Sequence, residues 1–228
     1  MKKKKIIAII PARKNSTRLK NKNFKKFNGQ PLIKWTIESA LKSKYVNKIL
    51  VSSDSKKILN FCSNYKGIIA SKRAKQLSLK NSKIEDVIEN EIIKNSLQDF
   101  DYFILLQPTS PLRTVKSINE SLEMIFKSKA SSCVSFYKIK ENYINVYRIK
   151  DTKIKKVNSQ KNIIHKSNYF IPSGDIYISK VKSFLNDKKF IRISTLPYII
   201  KHGFSDIDYL HEFKSAETIH KKNSYSSK

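Results

Sequence analysis

Glycine is scarce in this chain, which has only four in 228 residues. They are Gly29, Gly67, Gly174 and Gly203, too far apart for the phosphate-binding motifs G-x-G-x-x-G and G-x-x-x-x-G-K-[ST]. Both motifs hold phosphate groups with the backbone of a glycine-rich loop. If this chain binds phosphates, side-chain cations and the amides of other residues must hold them.

Cysteine and long apolar runs are scarce as well. Cys62 and Cys133 are the only two cysteines and lack metal-ligand spacing, so we expect both to be reduced and buried. No apolar run reaches the roughly 18 residues of a membrane-spanning helix. The run Lys2–Lys5 followed by Ile6–Ile10 resembles a signal peptide, but its apolar part ends at Pro11, short of the roughly 7–15 residues of a signal core. We therefore expect a cytoplasmic protein.

Acidic residues are few, since 18 Asp and Glu stand against 47 Lys and Arg, for a net charge of +29. One interpretation is an anionic partner, such as nucleic acid, a membrane surface, or phosphorylated and carboxylated small molecules. The other is a compositional bias that places Lys on every surface. No basic helix and no RNP-like aromatic and basic segment occurs. This favours the bias, and we expect neither a nucleic-acid partner nor a membrane partner.

Alternating strand and helix patterns predict an α/β fold with a doubly wound, mostly parallel sheet. The continuous apolar runs at 6–10 and 102–106 are typical of strands covered on both faces. Further strands are predicted at 48–52, 68–70, 133–137 and 176–178. Helices are predicted from Pro31, after Asp54 as N-cap with Gly67 as the stop, from a capping box at Ser82–Glu85, around Ile118, and from about Tyr209 to His220.

We expect a single domain over residues 1–220. Residues 138–170 break the alternation with short polar pieces, and we interpret them as an inserted β-rich excursion. Residues 221–228 are predicted to be a disordered tail. Ligands of doubly wound sheets bind in the loops that follow the carboxyl ends of the strands, which makes 11–23 and 107–113 the loops of interest.

The first candidate site is the loop 11–23, which reads PARKNSTRLKNKN. It can wrap a triphosphate, because Ser16 and backbone amides can donate to phosphate oxygens while Arg13, Arg18 and Lys22 neutralise their charge. The alternative is a solvated loop of a lysine-rich chain. Two of only six arginines lie in this loop, which favours phosphate binding.

The second candidate is the segment 105–113, which reads LLQPTSPLR. Its two prolines stiffen the backbone. Gln107 is expected to emerge at the end of a strand, where its amide can read a base or a sugar edge as donor and acceptor. The alternative is an ordinary proline turn with Thr114 capping the next helix.

The third candidate is Asp206-Ile207-Asp208. In an extended segment, residues i and i+2 point to the same face, so the two carboxylates repel each other unless a cation lies between them. Mg²⁺ is bound by one or two carboxylates together with substrate phosphates, which suits this pair. The alternative is that Asp208 caps the last helix, which leaves Asp206 unexplained.

These three motifs, in this order, resemble the acylneuraminate cytidylyltransferase family, and the resemblance extends over roughly residues 6–217. It implies a nucleotide-diphospho-sugar-transferase-like fold. It also implies an enzyme that transfers CMP from CTP to a 2-keto-3-deoxy sugar acid, such as sialic, legionaminic or pseudaminic acid, and releases pyrophosphate. The excursion at 138–170 is then the arm of a homodimer. The stretch 16–19 also resembles the sister family that activates Kdo, so a Kdo cytidylyltransferase or another sugar nucleotidyltransferase is an alternative.

The resemblance also implies a role for each candidate residue. The phosphates of CTP are expected to contact Arg13, Ser16 and Lys22. The family carries a lysine where Thr17 stands here, and Arg18 is expected to supply that positive charge instead. Asn23 lies near the ribose, Arg73 and Ser82 lie around the cytidine, and Gln107 contacts the sugar acid or nucleotide. Asp206 and Asp208 hold Mg²⁺. The residues expected to act in catalysis are Arg13, Lys22, Asp206 and Asp208.

The chain departs from the family pattern at several positions. Lys80 replaces an Asp, Tyr209 replaces a Thr, and Ser173-Gly174-Asp175 replaces Asn-Gly-Ala. Ser173 and Asp175 are expected where the sugar sits. The sequence therefore leaves the identity of the acidic sugar open, and a non-enzymatic nucleic-acid-binding protein remains the alternative outside the enzymes.

Overall fold

The computed structural model describes residues 3–16, 18–139, 146–150, 153–157, 169–201 and 206–225. Strands and helices alternate along most of this length. The strands are β1 (Ile6–Pro11), β2 (Lys26–Phe27), β3 (Gln30–Pro31), β4 (Lys48–Ser53), β5 (Ile68–Lys72), β6 (Tyr102–Leu105), β7 (Ser132–Ile139), β8 (Val146–Lys150), β9 (Lys153–Val157), β10 (Tyr169–Lys180) and β11 (Leu196–Ile199). The helices are α1 (Leu32–Leu41), α2 (Lys56–Ser63), α3 (Ile84–Lys94), α4 (Val115–Phe126), α5 (Val181–Asp187) and α6 (Leu210–Tyr225).

The main sheet has the strand order β11-β7-β10-β6-β1-β4-β5, with β8 and β9 extending from β10. Strands β6, β1, β4 and β5 are parallel, and β11 is parallel to β7. Strand β10 runs antiparallel to both β6 and β7. The predicted mostly parallel α/β sheet is therefore confirmed, with β10 as the reversed strand in its interior.

Both faces of the sheet are covered, as the apolar runs predict. Ile6, Ala8 and Ile10 of β1 pack with residues of α1, α2 and α4. Ile7 and Ile9, on the opposite face, pack with residues of α3 and α5. Because β1 is covered on both sides, all five side chains are 0% exposed.

Several helix boundaries differ from their predictions. Ser55, and not Asp54, is the N-cap of α2, and Asp54 Oδ1 accepts a hydrogen bond from the amide of Lys14 at 2.6 Å. The capping box predicted for α3 does not form, because Lys83 occupies the N-cap and Ser82 Oγ donates to the Gln76 carbonyl at 2.8 Å. Several short polar side chains lie near the N-terminus of each helix in the sequence. Their tertiary hydrogen bonds determine which residue becomes the N-cap.

The C-terminal ends of two helices also differ from their predictions. Helix α2 ends at Ser63, and Gly67, the predicted stop, has φ +84 in the turn before β5. Helix α6 continues to Tyr225, so the predicted disordered tail is wrong for residues 221–225. Of the β-rich excursion, strands β8 and β9 are seen, while 140–145, 151–152 and 158–168 lie outside the described residues.

Both cysteines are buried and unpaired by disulfide, as predicted. Burial raises the pKa of each thiol to about 12, so neither is a thiolate near neutral pH. Within the described residues, no helix combines the length and the apolar character that crossing a membrane requires.

Helix α6 is held to the body of the protein by an aromatic cluster. The ring of Phe27, at the β2–β3 hairpin, lies 5.4 Å from Phe213 and 5.3 Å from His220 by ring centroids. Trp35 of α1 lies 4.3 Å from His220. The amide of Asn28 donates to Glu217 Oε1 at 2.6 Å. These contacts fix the helix that follows the Asp206–Asp208 segment.

The cluster predicts a pH-dependent stability. Burial lowers the pKa of His220 below its ordinary 6.5, so the unfolded chain binds the proton more readily. This contribution to folding is therefore present above about pH 6.5 and is lost as the pH falls through the lower folded-state pKa. We expect His220→Gln to lose about 1 kcal/mol of stability near pH 8 and to show a flatter dependence of the unfolding free energy on pH.

Urea unfolding between about pH 8 and pH 5.5 measures this difference. The exposed His211 offers a matched control. His211→Gln should show the same dependence of the unfolding free energy on pH as the parent protein. If the unfolding free energy of His220→Gln depends on pH as steeply as that of the parent protein, the buried imidazole is not the titrating group.

Candidate active site

A cavity of about 450 Å³ opens beyond the carboxyl ends of β1, β5 and β6, at the place where ligands bind in sheets of this type. The structure brings together in its wall the ten residues to which the resemblance gives a role in binding or catalysis. They are Arg13, Ser16, Arg18, Lys22, Asn23, Arg73, Ser82, Gln107, Asp206 and Asp208.

The loop after β1 is closed by its own polar contacts. The amide of Ala12 donates to the Ser52 carbonyl at 2.9 Å and so prolongs the pairing of β1 with β4. Asn23, only 6% exposed, donates from Nδ2 to the Arg13 carbonyl at 3.1 Å. Asn21, at φ +53, makes the turn that a glycine often makes. The loop thus folds back without any glycine.

Lys22 joins this loop to the C-terminal part of the site. Its ammonium group is nearly buried and contacts the Ile207 carbonyl and Asp208 Oδ1, the latter at 2.9 Å. Burial lowers the pKa of Lys22 to about 8, and the nearby Asp206 carboxylate opposes that effect. A cation held this way fixes the aspartate segment to the loop.

The two aspartates face the cavity because the residue between them faces the core. Ile207 is 0% exposed and packs with Leu19 and Phe213, and its amide donates to the Thr109 carbonyl at 2.9 Å. Asp206 and Asp208 then both line the cavity, as the i, i+2 spacing predicts.

Asp208 does not cap the last helix. Glu212 Oε2 accepts from the amides of Asp208 and Tyr209, at 2.7 and 2.8 Å, and so caps α6 from within its first turn. The carboxylate of Asp208 is left for Lys22 and for Arg18, which contacts its Oδ2. Glu212 is not among the residues predicted from the sequence to act here, although a glutamate in the first turn of a predicted helix is a recognisable capping signal.

The aspartate pair has the donor chemistry that Mg²⁺ requires. Burial raises the pKa of Asp206, while the charge of Lys22 opposes the shift, so a cation near this carboxylate stabilises its charged form. The described residues hold no cluster of three or more Asp, Glu, His or Cys that could form a complete metal cage. Two carboxylates therefore fit an ion that takes its remaining ligands from phosphate and water.

The segment 73–87 supplies a partly apolar wall to the cavity, through Leu77, Leu79, Ile84 and Val87. Arg73 lies among them at 6% exposure. It donates from Nε to Ser52 Oγ at 3.0 Å and from Nη2 to the Ser52 carbonyl at 2.9 Å. Burial lowers the pKa of Arg73 to about 10, and the charge of Glu91 opposes that effect. An apolar wall with one fixed guanidinium suits a flat, polar-edged ring.

The Gln107 loop is fixed by a buried arginine as well as by its prolines. Arg113 donates from both Nη1 and Nη2 to the Gln107 carbonyl at 3.2 Å. It also donates to the Asp175 carbonyl at 2.7 Å and to Thr36 Oγ1 at 2.8 Å. Thr114 caps α4 in addition, through the amide of Ser117 at 3.0 Å. The proline turn with its Thr114 cap is therefore confirmed, and it leaves Gln107 in the wall of the cavity.

The side chains of Ser173 and Asp175 do not line this cavity, contrary to the expectation that they lie where the sugar sits. Ser173 is 1% exposed and donates to Ser135 Oγ at 2.7 Å. Asp175 is 0% exposed. Gly174 between them has φ +81, and a Cβ there would lie 3.6 Å from Ser110 Oγ and 3.7 Å from Asp206 Oδ2. The glycine, and not its neighbours, is the member of this trio that lies against the site.

Sequence comparisons identify the family. A family model described as cytidylyltransferase matches residues 7–221. The chain is 30% identical over 217 residues to the CMP-N,N'-diacetyllegionaminic acid synthase of Legionella pneumophila, which covers 89% of this chain and 90% of that protein. It is 31% identical over 233 residues to the N-acylneuraminate cytidylyltransferase of Escherichia coli O18:K1:H7, and it spans 52% of that relative's length.

Structural comparison gives the fold. A CMP:2-keto-3-deoxy-manno-octonic acid synthetase, solved in complex with CTP, superposes with a TM-score of 0.79 over 96% of this chain and 99% of that chain, at 16% identity. The architecture is the nucleotide-diphospho-sugar transferase fold, and the class of protein is a nucleotidyltransferase. More specifically, the chain belongs to the cytidylyltransferase family. The predicted fold and enzyme class are confirmed.

Gly174 gives a test of how tightly the site depends on its backbone. An alanine at φ +81 costs about 1–2 kcal/mol of stability, and its methyl group contacts Asp206. We expect Gly174→Ala to lose this stability and also to lower the turnover of CTP severalfold.

Gly67→Ala is the matched control, since it has φ +84 with nothing within 4 Å of the added Cβ. It should lose comparable stability while retaining turnover. Thermal unfolding and a pyrophosphate-release assay measure the two effects. Equal turnover in both variants would argue that Gly174 serves the fold alone.

Proposed function

We propose that this enzyme transfers CMP from CTP to the anomeric hydroxyl of a 2-keto-3-deoxy sugar acid and releases pyrophosphate. The sugar is sialic acid or a relative such as legionaminic or pseudaminic acid, and the names of the two relatives support this class. The observation that carries the proposal is the single cavity in which Arg13, Arg18 and Lys22 lie together with Asp206 and Asp208. Cations suit the triphosphate and the sugar carboxylate, and the acidic pair suits a divalent ion.

In the proposed reaction, the oxygen on C2 of the sugar attacks the α-phosphorus of CTP. A new oxygen–phosphorus bond forms while the bond from the α-phosphorus to the bridging oxygen breaks. Pyrophosphate leaves with the electron pair, and the hydroxyl proton is released. Arg13, Ser16 and Lys22 hold the triphosphate in line and neutralise the charge that develops on it, so catalysis rests on positioning and charge stabilisation.

The remaining candidate residues bind the nucleoside and the sugar. Arg73 and Ser82 lie around the cytosine against the apolar wall. Asn23 lies near the ribose, where its buried amide also keeps the loop closed. Gln107, on the loop fixed by Arg113, contacts the sugar acid or the nucleotide.

Asp206 and Asp208 are the proposed ligands of Mg²⁺. When bound, the ion supplies Lewis-acid polarisation of phosphate oxygens. Arg18 and Lys22 contact Asp208 in the free protein and would compete with the ion for that carboxylate. We expect both cations to pass to the triphosphate when the nucleotide binds.

The enzyme is proposed to be a cytoplasmic homodimer, with CTP and the acidic keto sugar as its small-molecule partners. The arm for dimerisation is the excursion at 138–170, whose strands β8 and β9 extend the sheet from β10. Light scattering of the purified protein measures its mass in solution. A monomeric mass would refute the proposed homodimer.

The substrate prediction is tested by pyrophosphate release from CTP with a panel of acidic keto sugars. We expect turnover with sialic, legionaminic or pseudaminic acid to exceed turnover with Kdo, and EDTA to abolish it because the ion is removed. Turnover should persist at a salt concentration that abolishes binding to duplex DNA, since phosphate-driven DNA binding is steeply salt-dependent. A panel in which no sugar acid supports release would refute the proposed function.

The metal assignment predicts that Asp208→Ala lowers kcat/KM by at least about 100-fold, because a charge-stabilising group is lost. Asp187→Ala is a matched control, since it removes another exposed aspartate that pairs with an arginine, Arg192, at 2.6 Å, away from the cavity. It should keep the activity of the parent enzyme. Near-normal turnover of Asp208→Ala at limiting Mg²⁺ would refute the role of Asp208 as a metal ligand.

A further inference from the structure

A buried carboxylate in α3 acts on the pKa of Arg73 but has no role yet in the proposed function. Glu91 is 0% exposed and does not line the cavity. Burying a charged carboxylate is costly unless hydrogen bonds satisfy its oxygens. The donors that satisfy Glu91 therefore indicate what this charge holds in place.

Both oxygens of Glu91 accept hydrogen bonds from uncharged side chains. Oε1 accepts from Ser52 Oγ at 2.7 Å. Oε2 accepts from Ser71 Oγ at 2.5 Å and from Asn95 Nδ2 at 3.0 Å. Ser52 lies at the end of β4 and Ser71 in the neighbouring β5, so the carboxylate spans two strands at the edge where the cavity opens.

The hydroxyl of Ser52 links this carboxylate to Arg73. A hydroxyl has one hydrogen to donate, and because that hydrogen goes to Glu91, the lone pairs of Ser52 Oγ face Arg73 Nε at 3.0 Å. The Ser52 carbonyl accepts from Nη2 of the same arginine at 2.9 Å. A chain from anion through hydroxyl to cation strengthens each of its hydrogen bonds.

These contacts leave one edge of the guanidinium for a ligand. Two of the three nitrogens of Arg73 are held by Ser52, and Nη1 makes no hydrogen bond to another described residue. Arg73 lines the cavity beside Ser82 and Val87. Since a guanidinium only donates, the free edge suits the acceptors N3 and O2 of cytosine. Uracil presents an N–H at N3 and would meet this donor unfavourably.

We propose that Glu91, acting through the hydroxyl of Ser52, is a positioning residue that orients Arg73 toward the cytosine of CTP and so sets the preference for CTP over UTP. The inference rests on the proposed function, which places the nucleotide in this cavity. It adds that base selection depends on a buried charge that never touches the substrate.

The test measures the dissociation constants of CTP and UTP by calorimetry in the absence of sugar. The parent protein should prefer CTP. Ser52→Ala removes the link while keeping the carbonyl contact, and we expect it to reduce the CTP to UTP preference by about tenfold, as expected for one hydrogen bond to a charged group. Glu91→Gln should act in the same direction, and the double variant should be no worse than Ser52→Ala alone.

Ser71→Ala is the matched control, because it removes another hydroxyl bonded to Glu91 that makes no hydrogen bond to the described side chain of Arg73. It should keep the nucleotide preference even if it unfolds at a lower temperature. A merely structural role of Glu91 would lower the unfolding temperature in all three single variants and leave the preference for CTP over UTP unchanged, which would overturn the proposal. If Glu91→Gln fails to fold, Ser52→Ala decides the question by itself.

The outcomes for the inference and for the proposed function are distinct. A parent protein that binds neither nucleotide would refute the proposed function. A parent protein that binds CTP and UTP equally would overturn the inference alone. The same holds for a parent that prefers CTP while Ser52→Ala retains that preference.

Discussion

The ammonium group of Lys22 is the contact on which the site depends most. It binds the carbonyl of Ile207 and the carboxylate of Asp208, and so joins the loop after the first strand to a segment about 185 residues later in the chain. Moving this cation out of water lowers its pKa to about 8, which means that the fold bears a desolvation cost to make the connection. Together with the contact of Arg18 to Asp208, it bonds the loop after β1 directly to the acidic pair.

Buried arginines fix the neighbouring loops of the cavity in a similar way, through hydrogen bonds to carbonyls and hydroxyls. Arg73 ties the end of β5 to the end of β4 through Ser52. Arg113 ties the Gln107 loop to α1 and β10. Burial lowers the pKa of both guanidinium groups to about 10, yet both remain charged at neutral pH. A lysine could not hold these bidentate geometries, because its ammonium is a point charge.

Much of this arrangement could be predicted from the sequence because it depends on local patterns. The apolar run Ile6–Ile10 predicts a strand covered on both faces, and the loop that follows such a strand is the place for a ligand. The i, i+2 spacing of Asp206 and Asp208 predicts that both face one way. These inferences need only the geometry of one strand, so they carry over directly into the structure.

What could not be predicted depends on partners that are distant in sequence. Asp54 and Ser55 are equally good N-caps by composition, and the amide of Lys14 decides between them by engaging Asp54. The buried position of Glu91 in α3 could not be predicted, because its hydrogen-bond partners Ser52 and Ser71 lie 39 and 20 residues away in the sequence. Helix α6 continues past residue 220 through a polar stretch, Lys221-Lys222-Asn223, whose composition resembles that of a solvated tail.

The structure also changes the meaning of the departure at Ser173-Gly174-Asp175. An aspartate among the residues that contact an acidic sugar would repel its carboxylate, which would argue for a different substrate. Asp175 is instead fully buried, and its charge opposes the burial effect on Arg113. Asp175 therefore lies beside Arg113, beneath the Gln107 loop, and does not line the wall of the cavity. The cavity wall therefore keeps the positive charges of Arg13, Arg18 and Lys22 without an opposing charge from Asp175.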